Sequence, residues 1–515
     1  MAPRHNQHKP LAPLELVQPH ILKYWKMRKN DKEIVELLRT KHLHNTEYGI
    51  GLTRFREMRK ELGLTRARQQ NHTVESIRDA MLRLRLQYPK AGHREISSLL
   101  FHEENMSVPR SIITSYFAQY EPELVRQRRA NRLRRKRFWA AGVNDVWAID
   151  QHDKWKYKYG LALHTGVEPF IGRLQWLKIW WTNSNPRLIL SYYLDVVLEG
   201  GFMPLISQSD PGNENLGVAN GHTLLRHLHD SALIGTLQHR WMNEKKNIPP
   251  EISWSQLRRR FTPGFEDILD VGVNNGWYDP NILIQALVFR WVFIPWLQRE
   301  LDAYRDRVNN TAKRADRNKV LPHGVPNHMY EFPENYGVLD FKVKVDPEAV
   351  AHVRNLYAPP DHDVFQLVPE GFAILATEFY AEINSPPITR SNVWEVYMEI
   401  LVRFEHLDNI HRVPENFDEC WGYALTIARD DHEDDMALLP NLTPLESDPD
   451  NYYMGGVNNG RGLDESQEAH LDEMMENDDP LPPGVNDIEE GEQILAWFSD
   501  EEDEQEDTPE GLGLD

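Results

Sequence analysis

Apolar and polar positions change their period along this chain, and each change marks out elements. From Leu16 to Leu64 apolar residues recur at helical spacing. Asn30 stands where a helix cap belongs, Glu33 follows at the capping-box position, and Ile34, Leu37 and Leu38 then share one face. A loop through Tyr48-Gly49-Ile50-Gly51 leads to a second helix, Leu52 to Leu62, stopped by Gly63. Ile77, Met81, Leu84 and Leu86 predict a helix ending before Pro89, and Arg94 to Phe101 and Pro109 to Tyr120 predict two more. The period then shortens. Val146 to Ile149 is an apolar run of strand length, and Gly160 to Val167 and Leu174 to Thr182 read as the next two strands. A helix over Leu188–Leu198, a fourth strand over Pro204–Ser207, a short helix over His222–Leu228 and a fifth strand over Leu233–Leu237 complete an alternating series. Another helix starts near Glu251, and Ile282 to Tyr304 is a long apolar helical stretch broken at Pro295. Beyond residue 330, short apolar segments such as Val364–Leu367 and Val393–Phe404 predict a small, mainly helical region.

Charge divides the same chain into three bodies. The net charge of −21 hides a head of +15 over residues 1–140 and a tail of −28 over residues 430–515, which leaves a mildly acidic middle. The helix over Leu52–Leu62 carries Arg54, Arg56, Arg59 and Lys60, and helix, glycine-containing turn and basic helix together suit the major groove of DNA. Residues 126–137 hold eight Arg or Lys, among them Arg128, Arg129, Arg132, Arg134, Arg135, Lys136 and Arg137. Such a run neutralises phosphates and reads as a nuclear localisation signal. From Asp430 the acidic, Pro- and Gly-punctuated composition predicts disorder, and Ile494–Phe498 is an apolar segment within it that could engage a partner protein. No apolar run reaches membrane-spanning length, and Met1–Pro10 lacks an apolar signal segment. The single cysteine, Cys420, excludes internal disulfides and paired-cysteine zinc modules and fits a reducing compartment.

The candidate chemistry lies in the alternating series. The strand before Asp150 and the strand before Asp210 both run into a carboxylate, and Glu251 stands at a helix start. Carboxylates at strand ends and a helix start supply the hard oxygen ligands that Mg²⁺ or Mn²⁺ takes, and two such ions a few ångströms apart can activate an attacking oxygen and stabilise a leaving one. Asp150, Asp210 and Glu251 are therefore candidate metal ligands and catalytic groups. Asp153 beside the first acid reads as an accessory ligand or a turn cap, His152 as a structural histidine, and Asn213 as a residue that could orient Asp210. His239, Arg240, Lys245 and Lys246 precede Glu251 and are expected to meet DNA phosphates, with Arg258, Arg259 and Arg260 extending that surface. Trp176, Trp180 and Trp181 read as packing residues.

The stretch from about Asn144 to Pro326 resembles the catalytic core of retroviral-type integrases and DDE transposases, closest to the integrase-core proteins of eukaryotic transposons. Asp150 matches the family's first acid and Asp210 its second, 60 positions on. Asn247, Glu251 and Trp254 repeat its Asn, Glu, Trp spacing around the third. Glu251 lies 41 positions after Asp210, longer than the family's usual interval, which leaves Glu244, 34 positions after Asp210, as a rival. The chain departs from retroviral integrases in lacking the cysteines of their zinc-binding N-terminal module.

The resemblance implies an α/β, ribonuclease H-like core, two Mg²⁺ or Mn²⁺ ions, transposon ends and target DNA as substrates, and several copies assembled on DNA. The expected plan is a disordered start (1–17), a helix-turn-helix-like unit (18–68), a second helical DNA-binding unit (69–122), an Arg-rich linker (123–140), the catalytic core (141–328), a mainly helical appendage (329–430) and an acidic tail (431–515). The expected function is DNA end cleavage and strand transfer in the nucleus. The alternatives are a DNA-binding protein of transposon origin that no longer transfers strands, and a nuclease of the same fold that only hydrolyses.

Overall fold

The computed structural model describes residues 9–44, 48–89, 91–121, 140–242, 247–312, 323–406 and 436–444, and they fall into two units. Residues 65–121 form the smaller one, and the other described residues form the larger.

The larger unit opens with α1 (Leu14–Lys26), α2 (Asp31–Leu37) and α3 (Leu52–Glu61). The expected disordered start does not reach Val17. Ala12 is already buried, and Ala12 N–H donates to the Gly49 carbonyl. Asn30 caps α2 as the sequence predicts: its side chain accepts from the N–H groups of Lys32 and Glu33, and Glu33 accepts from Asn30 N–H at 2.7 Å. The basic face predicted for α3 is largely spent within the protein. Arg59 is buried and pairs with Asp31 at 3.2 Å, and Arg54 pairs with Glu57 and Glu61. The three helices share one apolar cluster with Val325 and Phe332, and Lys23–Glu331, Lys26–Asp306 and Lys41–Glu334 ion pairs surround it.

In the smaller unit α4 (Ala67–Gln70), α5 (Arg78–Gln87), α6 (His93–His102) and α7 (Arg110–Tyr120) enclose Met81, Leu84, Ile96, Leu99, Ile113 and Phe117. Arg85 pairs with Glu121 at 2.5 Å and donates to the Ala91 carbonyl, tying the end of α7 to the turn after α5.

Residues 142–309 contain β1 (Gly142–Val143), β2 (Val146–His152), α8 (Lys156–Tyr159), β3 (Ala162–Glu168), β4 (Arg173–Trp180), α9 (Pro186–Gly200), β5 (Phe202–Met203), β6 (Ile206–Ser209), α10 (Leu216–His229), β7 (His239–Trp241), α11 (Ile248–Arg260), α12 (Thr262–Asn274) and α13 (Leu283–Asn309). Five strands make one mixed sheet in the order β4-β3-β2-β6-β7. The first three chain neighbours meander antiparallel, and β6 and β7 then add parallel to β2. This is the predicted series of three strands, a helix, then alternating strands and helices. The parallel crossovers require covered faces, which is why β2 reads as a continuous apolar run. Trp147, Trp176, Ile189, Tyr193, Leu194 and Val218 form the core between the sheet and its helices. Gly166 makes one packing contact possible: a Cβ there would lie 2.3 Å from the Trp176 indole, which instead lies flat across β3 and donates to His164 Nδ1 at 3.0 Å.

Three predicted elements differ. The fifth strand is not Leu233–Leu237. Asp230 caps a 3₁₀ turn over Ser231–Leu233, Gly235 turns the chain at φ +87°, and the strand begins at His239. The first strand runs through Asp150 to His152 instead of stopping at Ile149, because all five residues from Ala148 to His152 have partners on β3. The long apolar helix is not broken at Pro295; α13 passes through it.

Beyond the core come α14 (Pro326–Glu331), β8 (Leu339–Asp340), β9 (Val343–Lys344), α15 (Pro347–Tyr357), α16 (Glu370–Glu382) and α17 (Val393–Glu405). β8 pairs with β1, β9 pairs with β5, and Val343, Val350, Val353 and Val364 join the Trp147 cluster. Trp180 and Trp181 donate to the carbonyls of Val364 and Gln366, the packing role predicted for them. Residues 436–444 close the edge beside β7. Leu237 N–H donates to the Thr443 carbonyl, Thr443 N–H to the Gly235 carbonyl, and the Asn220 side chain bonds both Ala437 and Leu439. No helix among the described residues is long and apolar enough to cross a membrane.

Candidate active site

The sheet register brings the first two acids level. β2 and β6 are parallel neighbours with Ala148 opposite Gln208, so Asp150 and Asp210, each two residues further on, lie at the same height. Adjacent strands lie about 4.8 Å apart. Asp150 is 9% exposed and still within β2; Asp210 follows the end of β6 and is half-buried.

α11 brings the third acid. Its start, Asn247-Ile248-Pro249-Pro250-Glu251, has an unusual economy of donors. A helix leaves its first N–H groups without intrahelical partners, and two of those residues are prolines with no N–H to satisfy. Asn247 therefore does not use its side chain as a cap. Its amide N–H donates instead to the Ile149 carbonyl at 2.8 Å, and its Oδ1 accepts from Gln208 Nε2 at 3.2 Å. Seven residues on, the Trp254 indole N–H donates to Asp150 Oδ2 at 3.0 Å. Positions 247, 251 and 254 fall on one helical face, so the contacts made by the first and last turn the face carrying Glu251 toward the ends of β2 and β6. Glu251 itself is exposed, in the first turn, where the helix dipole favours a negative charge.

The three carboxylates act on one another. Burial first, then the charges of Glu251 and Asp210, push the Asp150 carboxyl well above its usual range. Burial and Glu251 push Asp210 the same way. Glu214, which sequence reasoning missed, is also raised, by burial and then by Asp153 and Asp210. A set of carboxylates that disfavours its own ionisation is one that a cation would stabilise. Several oxygens point the same way. Asp210 Oδ1, Gln208 Oε1 and Asn215 Oδ1 are buried without a hydrogen-bond partner. Orphaned hard acceptors beside repelling carboxylates fit Mg²⁺ or Mn²⁺ in donor type. Among the described residues, no three His, Cys, Asp or Glu side chains are already drawn together as metal ligands.

The neighbouring candidates divide. Asp153 accepts from Asn183 Nδ2 at 2.7 Å and so braces the turn after β2. His152 stacks on Trp254, ring centroids 5.0 Å apart, and burial, with Arg258 and Lys154 nearby, lowers its pKa to about 4. Asn215, rather than Asn213, reaches back to the second acid: its amide donates to the Asp210 carbonyl at 3.1 Å and to Glu214 at 3.0 Å. His239 is buried, not presented to solvent as expected for a phosphate contact, and its ring bonds two serines of β6, Ser207 Oγ at 2.8 Å and Ser209 Oγ at 3.0 Å. Ser209 gives its own proton to the Asp210 carbonyl, so Ser209 Oγ accepts from His239 Nε2–H, and Nδ1 accepts from Ser207. Glu244, Lys245 and Lys246, and Arg128, Arg129, Arg132, Arg134, Arg135, Lys136 and Arg137, lie outside the described residues.

With the geometry in view, comparison with known families gives one match. Residues 138–330 match the integrase core domain. The matched stretch holds all five strands of the mixed sheet, both strand-borne acids and α11, so the integrase core coincides with the part of the chain that builds the site. It supports an integrase- or transposase-type function with DNA as substrate. No curated protein and no solved structure matches the chain.

Proposed function

We propose that this protein is a transposon-derived integrase that cuts DNA ends and transfers them to a target in the nucleus, using a ribonuclease H-like core. The observation that carries the reading is the level placement of Asp150 and Asp210 on neighbouring parallel strands, with Glu251 raising the proton affinity of both. The strand order β4-β3-β2-β6-β7 and the match over residues 138–330 support it.

Asp150, Asp210 and Glu251 would hold two Mg²⁺ or Mn²⁺ ions, which when bound activate the attacking oxygen and neutralise charge on the phosphate. The chain's own part is positional. The buried strands fix two carboxylates, α11 fixes the third, and protein covers Asp150 on most sides, excluding water. In the first step a water oxygen bonds to phosphorus and the 3′ oxygen of the transposon end leaves with a proton. In the second, that 3′ hydroxyl bonds to a target phosphorus and displaces a target 3′ oxygen, so one phosphodiester forms as one breaks.

The same residues would serve a nuclease that stops after the first step, so the deciding experiment separates products. Full-length protein is incubated with DNA carrying the flanking terminal repeats and a target plasmid, in Mg²⁺ or Mn²⁺. Joined products establish transfer. Nicked ends without joining favour the hydrolytic nuclease, and DNA binding with neither product marks a protein that has kept only recognition.

A further inference from the structure

α11 and its N-cap residue bond the site through two side chains, and neither is an acid. Asn247 spans β2 and β6, bonding the carbonyl of the residue before Asp150 and the side chain two residues before Asp210. Trp254 bonds Asp150 itself. Both are 1% exposed, and the Trp254 ring is stacked on His152, which leaves the indole little freedom to turn. A carboxylate has two oxygens. The indole N–H bonds Oδ2, beside a backbone hydrogen bond from Gln151, and so restrains the rotation of the carboxylate about its own bond.

We propose that Trp254 and Asn247 are positioning residues of the reaction: Trp254 holds Oδ2 of Asp150 so that Oδ1 is presented to a divalent cation, and Asn247 holds the two acid-bearing strands in the register that cation requires. The inference rests on the reading of Asp150 as a metal ligand. It explains why a buried tryptophan, usually a packing residue, spends its one polar atom on a carboxylate 104 positions away. Partners that orient a metal's ligands commonly change affinity by about 10–100-fold when removed.

The test is Mn²⁺ binding to the full-length protein, followed through the electron paramagnetic resonance signal of free Mn²⁺, with circular dichroism as the check on folding. Trp254→Phe keeps an aromatic ring, though a smaller one, and removes the N–H. It is expected to weaken Mn²⁺ binding by about 10-fold or more. In an Asp150→Asn background the same substitution is expected to change nothing further, because the carboxylate it orients is gone. Asn247→Ala removes the donor to the Ile149 carbonyl without adding a charge and should weaken binding in the same direction; it decides the matter if Trp254→Phe does not fold. Wild-type affinity in Trp254→Phe, with binding lost in Asp150→Asn, overturns the positioning role and spares the metal reading. An equal loss from Trp254→Phe with and without Asp150 means general loosening, and also overturns it. Wild-type affinity in Asp150→Asn removes the metal reading and the positioning role together.

Discussion

Asp150 stands where the fold tolerates a charge poorly. Its carboxyl is buried in β2 with two other acids acting on it, so its proton affinity is higher folded than unfolded. A carboxyl raised in this way lends stability below its unfolded pKa and loses it as pH rises through the folded one, so at neutral pH the group works against the fold. Asp150→Asn keeps the shape and removes that opposition. The expected outcome is a metal-free protein that melts higher than wild type at pH 7 but has no detectable cleavage or transfer. Asp210→Asn should behave alike with a smaller rise in melting temperature, since that carboxyl is only half-buried. Glu251→Gln is expected to abolish activity with little change in melting temperature, because Glu251 is exposed. Loss of activity in Glu244→Gln with a fully active Glu251→Gln would move the third acid to Glu244 and sink the assignment made from α11.

At the scale of elements, β7 shows how a polar residue can anchor a strand. His239 is neutral because burial lowers its pKa to about 3, and only the neutral ring can donate from one nitrogen while accepting at the other. A depressed histidine contributes stability that is full above its unfolded pKa of about 6.5 and is lost as pH falls toward the folded value. His164, also held near 3 by burial, acts in the same window. Wild-type stability is expected to decline from about pH 6.5 downward, and His239→Gln, which cannot take up a proton there, should show a shallower decline between pH 6.5 and 4 in denaturant titrations. Equal slopes would remove His239 from the account. Sequence period could not find this strand, because His239-Arg240-Trp241 has neither alternation nor an apolar run, whereas Leu233–Leu237 has the run and lies in a turn. The elements whose signal was local were legible: the capping box at Asn30, the strand before Asp150, the strand before Asp210 and the helix of Glu251. What escaped were contacts between distant positions. Nothing local to Trp254 says that its indole meets Asp150, and nothing local to Arg59 says that a basic helix turns one of its charges inward to Asp31.

At the scale of the whole molecule head and tail carry opposed charges, and these are expected to govern encounter with DNA. The eight Arg or Lys between residues 126 and 137 are the densest basic run in the chain. Each phosphate neutralised contributes about 0.9 to the slope of log affinity against log salt. Replacing all eight with Gln in the full-length protein should flatten that slope by up to roughly 7; an unchanged slope would exclude the run as the phosphate contact. The full chain is the right object, since α1–α3 share their core with Val325 and Phe332 and an isolated head would expose that surface. The tail calls for a similar choice of boundary. Residues 436–444 are bonded to Asn220 on α10 and to the turn before β7, so a deletion starting at Asp430 would remove part of the fold with the acid. A deletion beginning at Leu445 leaves those bonds and still removes most of the negative charge. It is expected to tighten DNA binding at low salt, converging with full length as salt shortens the reach of the charge below about 8 Å. Superimposable curves at every salt concentration would leave the tail without a part in binding.

The attachment of residues 436–444 also has a history within each molecule's synthesis. Asn220 and Leu439 lie 219 positions apart, yet each satisfies the other in the finished fold. At about 5–20 residues per second a ribosome takes roughly 10–40 s to travel between them. Through that interval the segment before β7 offers unpaired Gly235 and Leu237 backbone groups to any passing strand. The nascent unit thus keeps those backbone groups open until almost its last described residues emerge, and a chain that terminates early in this region is released with them still open.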